Sequence, residues 1–187
     1  MGGRISLSSE VGKGSTFTVD VPFGRASGEG AATCDDAFAA RSRTHGDGVS
    51  YDFSGRRVIV AEDNELNREI ATEVLAMAGA EVLAASTGAE AVRAFERSHP
   101  GSVDLIFMDI QMPEMDGYEA TRVIRSLDRD DARSVPIVAM TANAFVEDEE
   151  RSRMSGMDGH LSKPLDIRLV YATMDRFLRG RPRGGGA

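Results

Sequence analysis

Between Arg56 and Arg179, short apolar runs alternate with stretches of helical periodicity, and this pattern restricts the fold more than any other feature of the chain. The runs are Arg57-Val58-Ile59-Val60-Ala61, Glu81 to Ala85, Val103-Asp104-Leu105-Ile106-Phe107-Met108, Pro136-Ile137-Val138-Ala139-Met140 and the short His160-Leu161. Runs that are apolar at successive positions suit strands covered on both faces. Between them, Glu65 to Ala78 carries Leu66, Ile70, Val74, Leu75 and Met77 at helical spacing and stops at Gly79. Helices are also predicted over Thr87 to Arg97, Tyr118 to Leu127, Phe145 to Ser155 (the weakest pattern) and Asp166 to Leu178. Five strand–helix units of this kind make one doubly wound α/β domain around a parallel sheet.

The remainder of the chain has a different texture. Arg4 to Ser8 and Ser15 to Val21 alternate apolar and polar residues around Gly12-Lys13-Gly14, the pattern of a β-hairpin. A lone hairpin is marginal in water, so these strands are expected to belong to a larger sheet. Residues 24–55 are rich in Gly, Ala, Ser, Asp and Arg and lack periodicity, which predicts a flexible linker. The glycine-rich stretch 180–187 predicts a disordered tail. A net charge of −8 disfavours phosphate backbones, so no nucleic-acid contact is expected. No apolar run approaches the roughly 20 residues that span a bilayer, so no membrane contact by this chain is expected. The single cysteine, Cys34, leaves no internal disulfide and suits a cytoplasmic location.

In open parallel sheets, ligands collect beyond the carboxyl ends of the strands. Here strand one is followed by Glu62-Asp63, strand three ends in Asp109, strand four in Thr141, and strand five leads into Lys163-Pro164. Any one of these residues alone reads as a cap or a surface charge; their repetition at the same ends of successive strands reads as a site. Clustered carboxylates repel, and a divalent cation relieves the repulsion. Oxygen-only ligands favour Mg²⁺ (or Mn²⁺) over zinc. Lys163 offers an ammonium and Thr141 a hydroxyl to phosphoryl oxygens, leaving Asp109 as the nucleophile that becomes an acyl phosphate.

Four segments in order resemble the receiver (response regulatory) family, in the form carried by hybrid sensor histidine kinases. They are Val60 to Asn67, Met108 to Gly117, Ala139 to Ala144 and Gly156 to Pro164, and the resemblance spans residues 56–179. It implies a flavodoxin-like five-stranded sheet of order 2-1-3-4-5, with Asp109 as phosphoacceptor. Glu62, Asp63, Asp109 and the Gln111 backbone carbonyl are implied metal ligands, while Thr141 and Lys163 meet the phosphoryl group. Pro113 and Gly117 are implied to shape the loop after the nucleophile, and a cis bond before Pro164 to aim Lys163 inward. Gln111 and Asn143 are implied to flank the path of attacking water. The family carries a Tyr or Phe three residues before the lysine; here it is His160, read either as a switch ring that titrates near neutrality or as an edge residue.

Residues 1–23 resemble the end of a histidine-kinase ATP-binding domain, with Gly12-Lys13-Gly14-Ser15 similar to its second glycine box. The expectation is a C-terminal piece of a hybrid kinase that does not itself bind ATP usefully, and is not an enzyme beyond its own phosphoryl transfer and dephosphorylation. The full-length parent can be membrane-anchored. The implied phosphodonor is a histidine-kinase core, and the implied acceptor a histidine-phosphotransfer domain docking near Leu66, Asn67 and Ile70, although Ile70 reads first as core. Two other readings stand beside this: a phosphorylation-independent interaction module (a pseudo-receiver), and an Asp-nucleophile phosphatase. The phosphatase reading lacks its second acid, because Gln111 stands two residues after the nucleophile.

Overall fold

A computed structural model of the chain describes residues 4–10, 14–20, 51–142 and 152–181, which fall into two units treated separately below. The first is a two-stranded antiparallel ribbon, β1 (Arg4–Glu10) against β2 (Gly14–Asp20). Ile5 pairs with Val19 and Leu7 with Phe17, and with a side-chain period of two these four share one face of the ribbon. All four are exposed, at 60–73%.

In the second unit, β3 (Arg57–Ala61), α1 (Glu65–Met77), β4 (Glu81–Ala85), α2 (Gly88–Arg97), β5 (Leu105–Asp109), α3 (Gly117–Ser126), β6 (Ile137–Thr141), β7 (Gly159–Ser162) and α4 (Ile167–Leu178) follow one another. The strands pair in parallel in the order β4-β3-β5-β6-β7, which is 2-1-3-4-5 counted within this unit. The polar residue before each helix is its cap: Asn64, Thr87, Asp116 and Asp166 accept from Asn67 N, Glu90 N, Glu119 N and Arg168 N. Of the helix expected over Phe145 to Ser155, residues 152–155 are helical and the rest lies outside the described residues.

Every residue of β5 and β6 is buried, so their continuous apolar runs serve two cores at once. Alternate side chains point to opposite faces. Ile59, Ile106, Met108 and Ile137 meet Phe95 of α2 and Ile124 of α3 on one side. Val58, Val60, Phe107, Val138 and Met140 meet Leu75 of α1 and Tyr171 and Met174 of α4 on the other. The Tyr171 hydroxyl donates to Val74 O at 2.6 Å, tying α4 to α1. β7, at the edge, shows the alternation of a half-covered strand.

Two expectations need correction. The linker was to run through residue 55, yet Phe53 is only 5% exposed; its ring stacks with Tyr51, and both pack at a tilt against Tyr171 of α4. Phe53 N also donates to Ala78 O at 2.7 Å. Two rings in a polar, aperiodic stretch carry no periodic signal, although aromatic rings are large apolar groups to bury. Next to them, Arg56 bonds Asp104 at 2.8 Å and reaches the carbonyls of Leu178 and Arg181 at 3.2 and 2.8 Å, closing the end of α4 onto β5. Ile70 is the second correction. It is 49% exposed, because α1 buries the stripe of Ala71, Val74 and Leu75 and leaves Ile70 beside exposed Leu66.

Candidate functional site

The carboxyl ends of β3, β5, β6 and β7 bring the acidic and basic groups to one place. β3 ends in Ala61, and the Glu62 N–H that follows donates to Ala85 O at 3.0 Å. Asp109 is the last residue of β5, so a strand locked on both sides fixes its backbone. Lys163 follows β7, its N–H on Thr141 O at 2.7 Å, and the bond to Pro164 is cis.

Carboxylate oxygens of Glu62, Asp63 and Asp109 lie within 4.8 Å of one another; Glu62 and Asp109 are buried and Asp63 is exposed. The Lys163 ammonium sits 2.6 Å from Asp109 Oδ2 and 2.6 Å from Glu62 Oε2. The other Asp109 oxygen, Oδ1, accepts from Gln111 N at 3.2 Å. Burial pushes the Asp109 carboxyl above the usual range, and the bond from Lys163 only partly opposes this. Burial alone would lower the Lys163 ammonium, but its bonds to Asp109 and Glu62 outweigh that and hold it above the ordinary lysine value.

Such a set suits a divalent cation. Three carboxylates face one ammonium, every candidate ligand atom is oxygen, and one acid is open to solvent while two are fixed from behind. A cavity of about 190 Å³ opens beside these groups, lined by Glu62, Asn67, Ile70, Lys163, Pro164 and Leu165.

The loop after Asp109 is shaped by close approach. Gly117 N donates to Ile110 O at 3.0 Å, and a Cβ on Gly117 would stand 2.2 Å from the Asp109 carbonyl oxygen. No side chain is compatible with that distance, so the glycine lets α3 begin directly under the nucleophile. Pro113 O accepts from Met115 N at 2.7 Å, enclosing Glu114 at φ 65°. A non-glycine residue held in the left-handed region carries strain of about 1–3 kcal/mol, and such residues cluster at sites of function.

Thus Glu62, Asp63, Asp109 and Lys163 form one cluster; Gln111 and Thr141 join it through their backbone; Pro113 and Gly117 form the adjoining turn. His160 is exposed on β7, paired with Ala139, rather than filling buried space. Asn143 lies outside the described residues. Two contributors escaped the sequence reading. Asn67 Nδ2 donates to Glu62 Oε1 at 3.2 Å, and Arg68 Nη1 donates to the carbonyls of Glu62 and Asp63 at 2.8 and 3.2 Å. The available signal was their place in the first turn of a helix that starts directly after the acidic pair.

Comparison with known proteins agrees with this geometry. The family model "Response regulator receiver domain" matches residues 58–175. The chain is 36% identical over 178 residues to the aerobic respiration control sensor protein ArcB of Escherichia coli, covering 95% of this chain and 21% of ArcB. The chain spans 13% to 21% of the length of the first curated sensor and histidine kinase relatives it matches. The receiver domain of sensor histidine kinase PA1611 from Pseudomonas aeruginosa, solved with a magnesium ion in its active site cleft, superimposes with a TM-score of 0.60 at 35% identity, covering 67% of this chain and 98% of that one. The receiver domain of Ssk1 from Saccharomyces cerevisiae, crystallised with the histidine phosphotransfer protein Ypd1, gives a TM-score of 0.60 at 29% identity and coverage of 65% and 88%. With an acidic cluster, a lysine and a sheet order that all suit it, the chain belongs to the response regulator receiver family of two-component phosphorelays.

Proposed function

We propose that Asp109 takes a phosphoryl group from a phosphohistidine and passes it to a histidine-phosphotransfer partner or holds it as a switch. The observation that carries this is the Lys163 ammonium, 2.6 Å from carboxylate oxygens of both Asp109 and Glu62 beside the exposed carboxylate of Asp63. In the transfer, an Asp109 carboxylate oxygen attacks phosphorus, the phosphorus–nitrogen bond breaks, and the imidazole nitrogen leaves with the electron pair. Lys163 is positioned to exchange its bond to Asp109 for one to a phosphoryl oxygen, and the Thr141 hydroxyl is the second donor for that group. Glu62, Asp63, Asp109 and the Gln111 carbonyl would hold Mg²⁺, which supplies neutralising charge to the phosphoryl oxygens when bound. PA1611, with magnesium in its cleft, supports the choice of ion, and the Ssk1–Ypd1 pair supports the class of partner.

For the docking surface we favour α1 near Leu66 (64% exposed), Asn67 and Ile70 (49%), of which Asn67 and Ile70 line the cavity beside Lys163. Residues 1–23 fit the end of a histidine-kinase ATP-binding domain and the parent a hybrid kinase; the match to ArcB, which runs over 95% of the chain, supports this. Among the described residues, no helix is long and apolar enough to cross a membrane. Mass spectrometry after incubation with acetyl phosphate and Mg²⁺ tests the proposal. The wild-type chain gains one phosphoryl group and Asp109→Asn gains none. A wild-type chain that stays unmodified favours an interaction module instead.

A further inference from the structure

The loop between β3 and α1 is tied down by residues that the phosphoryl chemistry does not itself call for. Arg68 Nη1 bonds two consecutive carbonyls, Glu62 O at 2.8 Å and Asp63 O at 3.2 Å. Asn67 Nδ2 bonds Glu62 Oε1 at 3.2 Å, while Asn67 N and Arg68 N bond the side chain and carbonyl of Asn64 at 3.1 and 2.9 Å. The peptide planes on both sides of Asp63, and the carboxylate of Glu62, are therefore fixed from the first turn of α1.

A guanidinium is an unfavourable choice for this place on two counts. It lies in the first turn of a helix, where the macrodipole favours anions over cations. It also sits against the main-chain carbonyls of the acidic pair, where its charge opposes the entry of another cation. What offsets both is geometric: both bonds come from one nitrogen, Nη1, whose two N–H groups the guanidinium plane holds in fixed directions, unlike the freely rotating ammonium of a lysine.

We propose that Arg68, assisted by Asn67, is a positioning residue that presets Glu62 and Asp63 for a divalent cation. This rests on the metal site assigned above, and it makes a prediction of opposite sign to simple electrostatics. Removing a positive charge beside a cation site would tighten binding if charge were its contribution. Removing a clamp that orients the ligands loosens it, on the order of tenfold for supporting partners of metal ligands.

The test is Mg²⁺ titration of the full chain, followed by backbone amide shifts and by calorimetry, well below the unfolding midpoint of each variant. Arg68→Gln is expected to raise the Mg²⁺ dissociation constant about tenfold. Arg68→Lys keeps the charge without the fixed planar direction of the Nη1 donors and falls between Arg68→Gln and wild type; Asn67→Ala also weakens binding. Wild-type affinity or tighter binding in Arg68→Gln overturns the inference. Should Arg68→Gln not fold, wild-type affinity in Arg68→Lys does the same. A wild-type chain with no saturable Mg²⁺ binding instead removes the metal site itself, and the inference with it.

Discussion

Lys163 is the residue whose removal exposes the energetics of the site most directly. Its ammonium is shared by two buried carboxylates at 2.6 Å each, and its own side chain is only 19% exposed. Substituting Lys163→Met leaves Glu62 and Asp109 with oxygens within 4.8 Å of each other and no intervening cation. At an effective dielectric constant of about 20, two unit charges at that separation repel by about 3.5 kcal/mol. Breaking a buried ion pair from one side costs about 3–5 kcal/mol. The partial exposure of Lys163 puts the expected loss near the lower end, about 3 kcal/mol at neutral pH without metal. Asp109→Asn removes one of the two repelling charges, so Lys163→Met should cost clearly less in that background, with a coupling of about 2 kcal/mol. Urea unfolding of the four proteins measures both quantities. The pH arm follows from linkage: losing the ammonium raises the folded-state carboxyl pKa further, and a raised carboxyl contributes stability that is present at low pH and lost as pH rises through the folded value. The Lys163→Met deficit should therefore shrink on acidification. A single-variant cost under about 1 kcal/mol, or strictly additive effects, would refute the shared-ammonium account.

Other expectations concern neighbouring parts of the fold. The Asp109 carboxyl is raised by burial, so stability lost as pH climbs through its folded value should be recovered by Asp109→Asn: in urea unfolding the variant should gain on wild type as pH rises. Saturating Mg²⁺, at about 100 times its dissociation constant, should stabilise wild type by about 2.7 kcal/mol and Asp109→Asn by much less, read as shifts in thermal midpoint. Gly117→Ala forces a methyl group to within 2.2 Å of the Asp109 carbonyl oxygen unless α3 or the nucleophile moves, so acetyl-phosphate labelling should fall together with stability. Phe53→Ala should cost about 3 kcal/mol by thermal or urea unfolding, although Phe53 lies before the first strand of the sheet.

What could be read in the sequence was whatever repeats or follows a period. The three central strands declare themselves because a sheet covered on both faces needs apolar residues at every position, and residues 57–61, 105–109 and 137–141 are buried almost throughout. The acidic pair, Asp109 and Lys163 are legible for a related reason: strand ends lie at one edge of a parallel sheet, so polar residues placed just after each strand converge. Tyr51, Phe53 and Arg56 follow no period. Their places are decided by partners 25 to 125 residues away, which no local pattern encodes. Ile70 was misread because helical spacing predicts a stripe but not its edges, and a one-residue rotation separates the buried Ala71 from the exposed Ile70. Arg68 was missed for a deeper reason. As a helical arginine it looks like a solvated charge, and only the position of the Glu62 and Asp63 carbonyls, set by backbone geometry rather than by residue type, shows that its guanidinium has a fixed target. Side chains that bind backbone leave little trace in the identity of the residues they hold, so the supporting groups of a site are harder to find from sequence than its reacting groups.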